Sequence, residues 1–215
     1  MLASGTGTVL QAVLDAGVPV SVVLADRPCR ALGLASEAGV EAVLLDRRDF
    51  GGYGAAFDRE RYSEALARGL SARGLDLVAM AGFGTVLTGR VHDAFPGRIL
   101  NTHPSLLPAF PGWHAVADAL AAGVRTTGCT VHVATPDVDA GPVLARAEVP
   151  VHPGDTEATL HERIKQVERR LYPDTILRVL GEIGGIGGVG PVGEMGPVGG
   201  VGGVGGVGPV GEMGP

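Results

Sequence analysis

Cysteine is nearly absent from this 215-residue chain, lysine occurs once and aromatic side chains make up only 4% of it. Cys29 and Cys129 stand a hundred positions apart, with no Cys or His at metal-ligand spacing. A disulfide framework and a metal site are therefore not expected, and both thiols read as free and buried in a reducing compartment. Positive charge is also scarce. Lys and Arg total 17 against 23 Asp and Glu, giving a net charge of −6 without a basic cluster. That balance argues against nucleic acid as a partner. No apolar run reaches membrane-spanning length, and the start lacks a basic stretch followed by an apolar one. No membrane association and a cytoplasmic location are expected.

Glycine is scarce in one part and abundant in another. Of 36 glycines, 17 lie between Gly181 and Pro215, where glycine takes every third position. This tail holds three acidic residues and no basic one, so residues 1–180 carry −3 of the charge. The glycine period fits the axis of a triple helix. With only four prolines, and glycine in many second positions, the tail is expected to be disordered rather than a trimeric stalk. The predicted organisation is one domain over 1–180 and a low-complexity tail over 181–215.

Within the domain, apolar runs alternate with helical patterns. Val18–Asp26, Val40–Asp46, Leu75–Phe83 and Arg98–Asn101 read as buried strands. Helices are predicted over Cys29–Gly39, Phe57–Arg73 and Val86–Phe95. Continuous apolar strands separated by helices imply an α/β fold: a doubly wound, mostly parallel sheet with helices on both faces. Thr127–Thr135 and Gly141–Val151 follow each other without a helix, an antiparallel excursion. A long helix from about Thr156 carries Leu160, Ile164, Val167 and Leu171 along one side. Pro173 is expected to kink or restart it, and the pattern fades near Leu180.

Two stretches suggest chemistry. Ser4-Gly5-Thr6-Gly7-Thr8 reads as a tight turn opening a helix, where free N–H groups and the helix dipole favour a phosphate. Asn101-Thr102-His103 falls at the carboxyl end of a predicted parallel strand, where open α/β sheets bind ligands. Alternation puts Asn101 and His103 on one side and Thr102 on the other. Pro104, Pro108 and Pro111 stiffen the loop that follows. An amide beside an imidazole suits acyl transfer, the amide holding an oxyanion and the imidazole handling protons. Asp137 and Asp139, just before Gly141-Pro142, are candidates for a carboxylate that orients the imidazole.

The run Leu100–Ala115 (LNTHPSLLPAFPGWHA), with the aspartate of Asp137–Val143 (DVDAGPV) 36 residues after His103, resembles the phosphoribosylglycinamide formyltransferases, folate-dependent enzymes of purine biosynthesis. The resemblance covers about residues 3–180. It implies transfer of a formyl group from 10-formyltetrahydrofolate, as co-substrate, to the amine of glycinamide ribonucleotide, by a monomer or homodimer and without a metal. It further implies that Asn101 donates to the oxyanion, His103 assists proton transfer and Asp139 supports His103. Gly5, Gly7, Thr8 and Lys165 would hold the substrate phosphate, and Glu168 the glycinamide. Arg59, Gly84, Thr85, Val86, Leu87 and His132 would line the folate side.

Some positions depart from that pattern. Gly84-Thr85 stand where many members have Met-Arg, and Val9 where an Asn is common. Members begin with a strand of about six apolar residues, whereas only Met1-Leu2-Ala3 precede the turn here. The first strand is therefore expected to be largely missing, with Met1 an internal start. Two other readings stay open. One is another formyl-folate transferase or hydrolase of the superfamily. The other is a catalytically impaired, truncated module carrying a collagen-like interaction tail.

Overall fold

The shortest strand lies inside the sheet, in the middle of its five parallel strands. A computed structural model describes residues 1–185, so the expectation for the tail lies outside the described residues from 186 onward. The elements are β1 (Leu2–Ala3), α1 (Thr8–Asp15), β2 (Val22–Ala25), α2 (Arg30–Glu37), β3 (Glu41–Leu44), a 3-10 turn (Arg47–Phe50), α3 (Arg59–Ser71) and β4 (Val78–Ala81). They continue as α4 (Gly89–Ala94), β5 (Ile99–His103), α5 (Ala115–Ala121), β6 (Thr126–Val133), β7 (Val143–Pro150) and α6 (Glu157–Gly185). The seven strands form one sheet in the order β3-β2-β1-β4-β5-β6-β7. β1 to β5 run parallel, and β6 and β7 are antiparallel, as the helix-free stretch implied.

The first strand is reduced to two residues, in line with the expectation that most of it is missing. Leu2 pairs with Leu24 and Met80, and Ala3 with Ala25 and Ala81. The Met1 nitrogen donates to the Val22 carbonyl at 2.6 Å, and Leu24 N donates to the Met1 carbonyl at 2.8 Å. Three residues thus bridge β2 and β4 and partner backbone groups that would otherwise be buried without bonds.

Both faces of the inner strands are covered, which is why these read as continuous apolar runs. By contrast β3, expected to be buried, is a largely exposed edge strand with polar Glu41 at its start. On one face, α3 and α4 bring Tyr62, Leu66, Leu70, Val91 and Phe95 against Leu2, Leu24, Val78 and Ile99. On the other, α1 and α6 bring Val9, Val13, Tyr172, Ile176 and Val179 against Ala79, Leu100, Val131 and Val133. Helix α2 packs Ala31 and Ala35 beside Ala3, Leu10 and Val23.

Helix α6 corrects one expectation. It runs without a break through Pro173 and on to Gly185, past Leu180. A proline removes one backbone donor, but the residues flanking it are anchored: Tyr172 is fully buried and Ile176 nearly so. The Tyr172 hydroxyl also donates to the Leu100 carbonyl at 3.0 Å, pinning the helix to β5. The thiols are both free; Cys129 is buried, whereas Cys29 is only half-buried.

Candidate active site

A cleft of about 550 Å³ opens at the carboxyl ends of β1, β4 and β5, within the range of small-molecule sites. One wall starts from the glycine turn. Gly7 caps α1 in the left-handed conformation (φ 77°), and a Cβ there would come within 2.7 Å of Leu34 and 3.1 Å of the Ala31 backbone. No side chain caps α1, so the N–H groups of its first turn face the cleft unspent. Lys165 and Glu168 reach the same cleft from α6, three residues apart on one side of the helix.

The floor is the end of β5 and its antiparallel neighbour. Asn101 pairs with His132 across β5 and β6, and Asn101 Nδ2 lies 3.3 Å from His132 Nε2. His132 Nδ1 faces the Val133 carbonyl at 3.0 Å, and because a carbonyl only accepts, that nitrogen donates. Asp139 approaches from the β6–β7 loop. Its Oδ2 is 3.3 Å from His103 Nδ1, and its Oδ1 is 3.6 Å from His132 Nε2. His103, Asp139 and His132 are all almost fully buried. Burial works to raise the Asp139 pKa. The His132 contact, a hydrogen bond from Gly112 N at 2.8 Å and the charge of His103 outweigh it, and the pKa is lowered. Asp139 holds a left-handed backbone (φ 57°) next to Gly141, where a Cβ would strike the Val133 carbonyl. The loop is therefore tied closely to β6.

Thr102 turns to the α6 side, as alternation predicts for it, and its hydroxyl lies 3.2 Å from Cys129 Sγ. The proline loop folds back over the site through Thr130, whose hydroxyl donates to the Ser105 carbonyl at 2.7 Å and accepts from Leu107 N. Burial pushes Glu168 up to about 7, only partly countered by the Thr102 hydroxyl and by the charges of Lys165 and Arg169.

Most of the sequence-predicted residues meet here. Asn101, His103 and Asp139 line the cleft together with Gly5, Gly7, Thr8, Lys165, Glu168, Gly84, Val86, Leu87 and His132. Two need correction. Arg59 is exposed at the first turn of α3 and does not line the cleft; Asp58 caps that helix through Arg61 N and fixes where it begins. Thr85 touches the cleft, but its hydroxyl is spent on the buried Asp26 carboxylate at 2.7 Å, leaving its backbone for a ligand. His132, expected on the folate side, lies beside Asn101 and Asp139.

Arg27, His92, Trp113 and His161 line the cleft as well, and sequence reasoning passed over them. His161 had a readable signal, since it precedes Lys165 by one helical turn. The others follow from loop paths that no local pattern encodes.

The comparisons with known proteins agree with this geometry. Residues 1–176 match the formyl transferase family model. The chain belongs to the formyl transferase family. Within it, the chain is 48% identical over 176 residues to phosphoribosylglycinamide formyltransferase of Mycobacterium tuberculosis, covering 80% of this chain and 79% of that relative. The protein of that name from Escherichia coli is 35% identical over 181 residues, covering 80% and 82%. Among solved formyl transferase structures, glycinamide ribonucleotide transformylase 1 from Symbiobacterium toebii superimposes with a TM-score of 0.78 at 45% identity. That match covers 84% of this chain and 85% of the other.

Proposed function

We propose that this formyl transferase moves the formyl group of 10-formyltetrahydrofolate to the amine of glycinamide ribonucleotide, a step of purine biosynthesis carried out in the cytoplasm. The observation that carries the reading is the Asn101–His103–Asp139 cluster, set at the end of β5 between the glycine turn with Lys165 and the loop of residues 82–88. The names of the relatives support the same acceptor and the transfer of a formyl group.

In this reading the first-turn N–H groups of α1 and Lys165 hold the acceptor phosphate, and Glu168 holds the glycinamide end. The apolar surface of Phe83, Val86 and Leu87 takes the donor ring. The acceptor nitrogen attacks the formyl carbon. The oxyanion that forms is met by the Asn101 amide and the protonated His103 ring. Collapse breaks the bond to the folate nitrogen, and the proton lost by the amine ends on that nitrogen through water. The products are formylated glycinamide ribonucleotide and tetrahydrofolate. His103→Ala is expected to abolish turnover, followed by folate absorbance, with the fold kept by circular dichroism. A variant that turns over at near-normal rate would rule the assignment out. Running the reaction with water as the sole acceptor separates a transferase from a hydrolase.

A further inference from the structure

Arg27 follows β2 directly after the buried Asp26 and reaches into the cleft. Its side chain is 45% exposed, and its Nε lies 3.6 Å from Asp26 Oδ1, too far for a hydrogen bond. Asp26 Oδ1 accepts no hydrogen bond, because the Thr85 hydroxyl binds the other oxygen. The carboxylate therefore attracts the guanidinium without occupying its fork of N–H donors.

The surroundings of that fork are specific. Its carbon lies 5.7 Å from the centre of the Tyr53 ring, within cation–π range. A Cβ placed on Gly84 would come within 3.0 Å of Arg27 Nη2. The guanidinium thus lies against the bare α-carbon of Gly84. Gly84 N donates to the Ser4 hydroxyl at 2.7 Å, which holds this loop beside β1.

Among the lysines and arginines of the described residues, Arg27 and Lys165 line the cleft. They come from opposite sides. Lys165 rises from α6, which packs with α1 on one face of the sheet. Arg27 leans toward Gly84 and Tyr53, on loops that lead to α3 and α4 on the other face. The reaction joins two anionic molecules, a phosphorylated acceptor and a donor ending in glutamate. Lys165 stands with the free N–H groups of α1 and suits the phosphate. Arg27 stands by the apolar loop and suits a planar carboxylate, which its fork can bind through two bonds.

We propose that Arg27 binds the glutamate carboxylate of the formyl donor. The proposal rests on the formyl-transfer reading above for the identity of the donor.

Binding can be read without turnover, because Trp113 is the single tryptophan of the chain and lines the cleft. Its fluorescence would follow titrations with tetrahydrofolate and with tetrahydropteroate, which lacks the glutamate. Arg27→Ala is expected to weaken tetrahydrofolate about ten-fold or more, the loss of a charged hydrogen-bond partner. Tetrahydropteroate affinity and the KM for glycinamide ribonucleotide should stay unchanged. Arg27→Lys keeps the charge beside Asp26 and should lose less. Equal weakening of both folates would overturn the proposal, as would no weakening of either. A rise confined to the acceptor KM would also overturn it, by assigning Arg27 to the phosphate. Selective binding of the glutamate form by a wild-type chain that transfers no formyl group would sink the reading of function and leave this site standing.

Discussion

His103 Nδ1 faces Asp139 Oδ2 at 3.3 Å, while its Nε2 faces the carbonyl oxygen of Phe110 at 2.8 Å. Both neighbours only accept hydrogen bonds, so the carboxylate and the carbonyl hold the ring from its two nitrogens.

Replacing that carboxylate by its neutral isostere isolates the charge. Asp139→Asn is expected to lower kcat by about 100-fold or more, with both KM values changing little. Steady-state kinetics beside circular dichroism checks this. A kcat within a few-fold of wild type would show that the Asp139 charge is not needed.

Glu168 links stability to pH. Its folded pKa of about 7 lies above the usual carboxylate value of 4.5, mainly through burial. The folded state then holds a proton that the unfolded chain has released. Its contribution is fully present below 4.5 and is lost as pH rises through about 7. The span corresponds to up to about 3 kcal/mol. Thermal melts across this window should fall with pH in the wild type and much less in Glu168→Gln. Parallel profiles for the two proteins would contradict this account.

Gly7→Ala tests the turn. The left-handed backbone costs a non-glycine residue about 1–2 kcal/mol, and the new methyl meets Leu34 and Ala31. The N–H groups of the first turn of α1 should shift, raising the KM for glycinamide ribonucleotide while the donor KM stays put. A donor KM that moves by the same factor would show that the change is not local to the phosphate.

Tyr172→Phe removes one hydroxyl from the contact between α6 and β5. The loss of its bond to the Leu100 carbonyl should cost about 1 kcal/mol, read as a lower urea midpoint at unchanged m-value. No measurable shift would mean that packing alone pins the helix.

Much of this was legible in the sequence because it is local. Strand runs, the glycine turn and the Asn101–His103 alternation are encoded within a few neighbouring residues, and the structure keeps each of them. What escaped depends on three-dimensional pairing. The register that sets Asn101 opposite His132 arises between β5 and β6, and no spacing along the chain specifies it. Arg59 looked like a cleft residue from its motif, yet the Asp58 cap turns it to solvent. Pro173 carries a local rule against helices, and the buried residues around it override that rule. The shortness of β1 suggested a hole in the sheet. Leu2 and Ala3 find pairing partners on both neighbouring strands.

The unbroken course of α6 joins two tasks in a single rod. Lys165 and Glu168 face the cleft from its first half, while Tyr172, Ile176 and Val179 close the interior from its second. On the proposed reading, in which Lys165 and Glu168 hold the acceptor, that helix has no room to swing without opening the interior it closes. Occupancy of the cleft should then slow amide exchange at the far end of the rod.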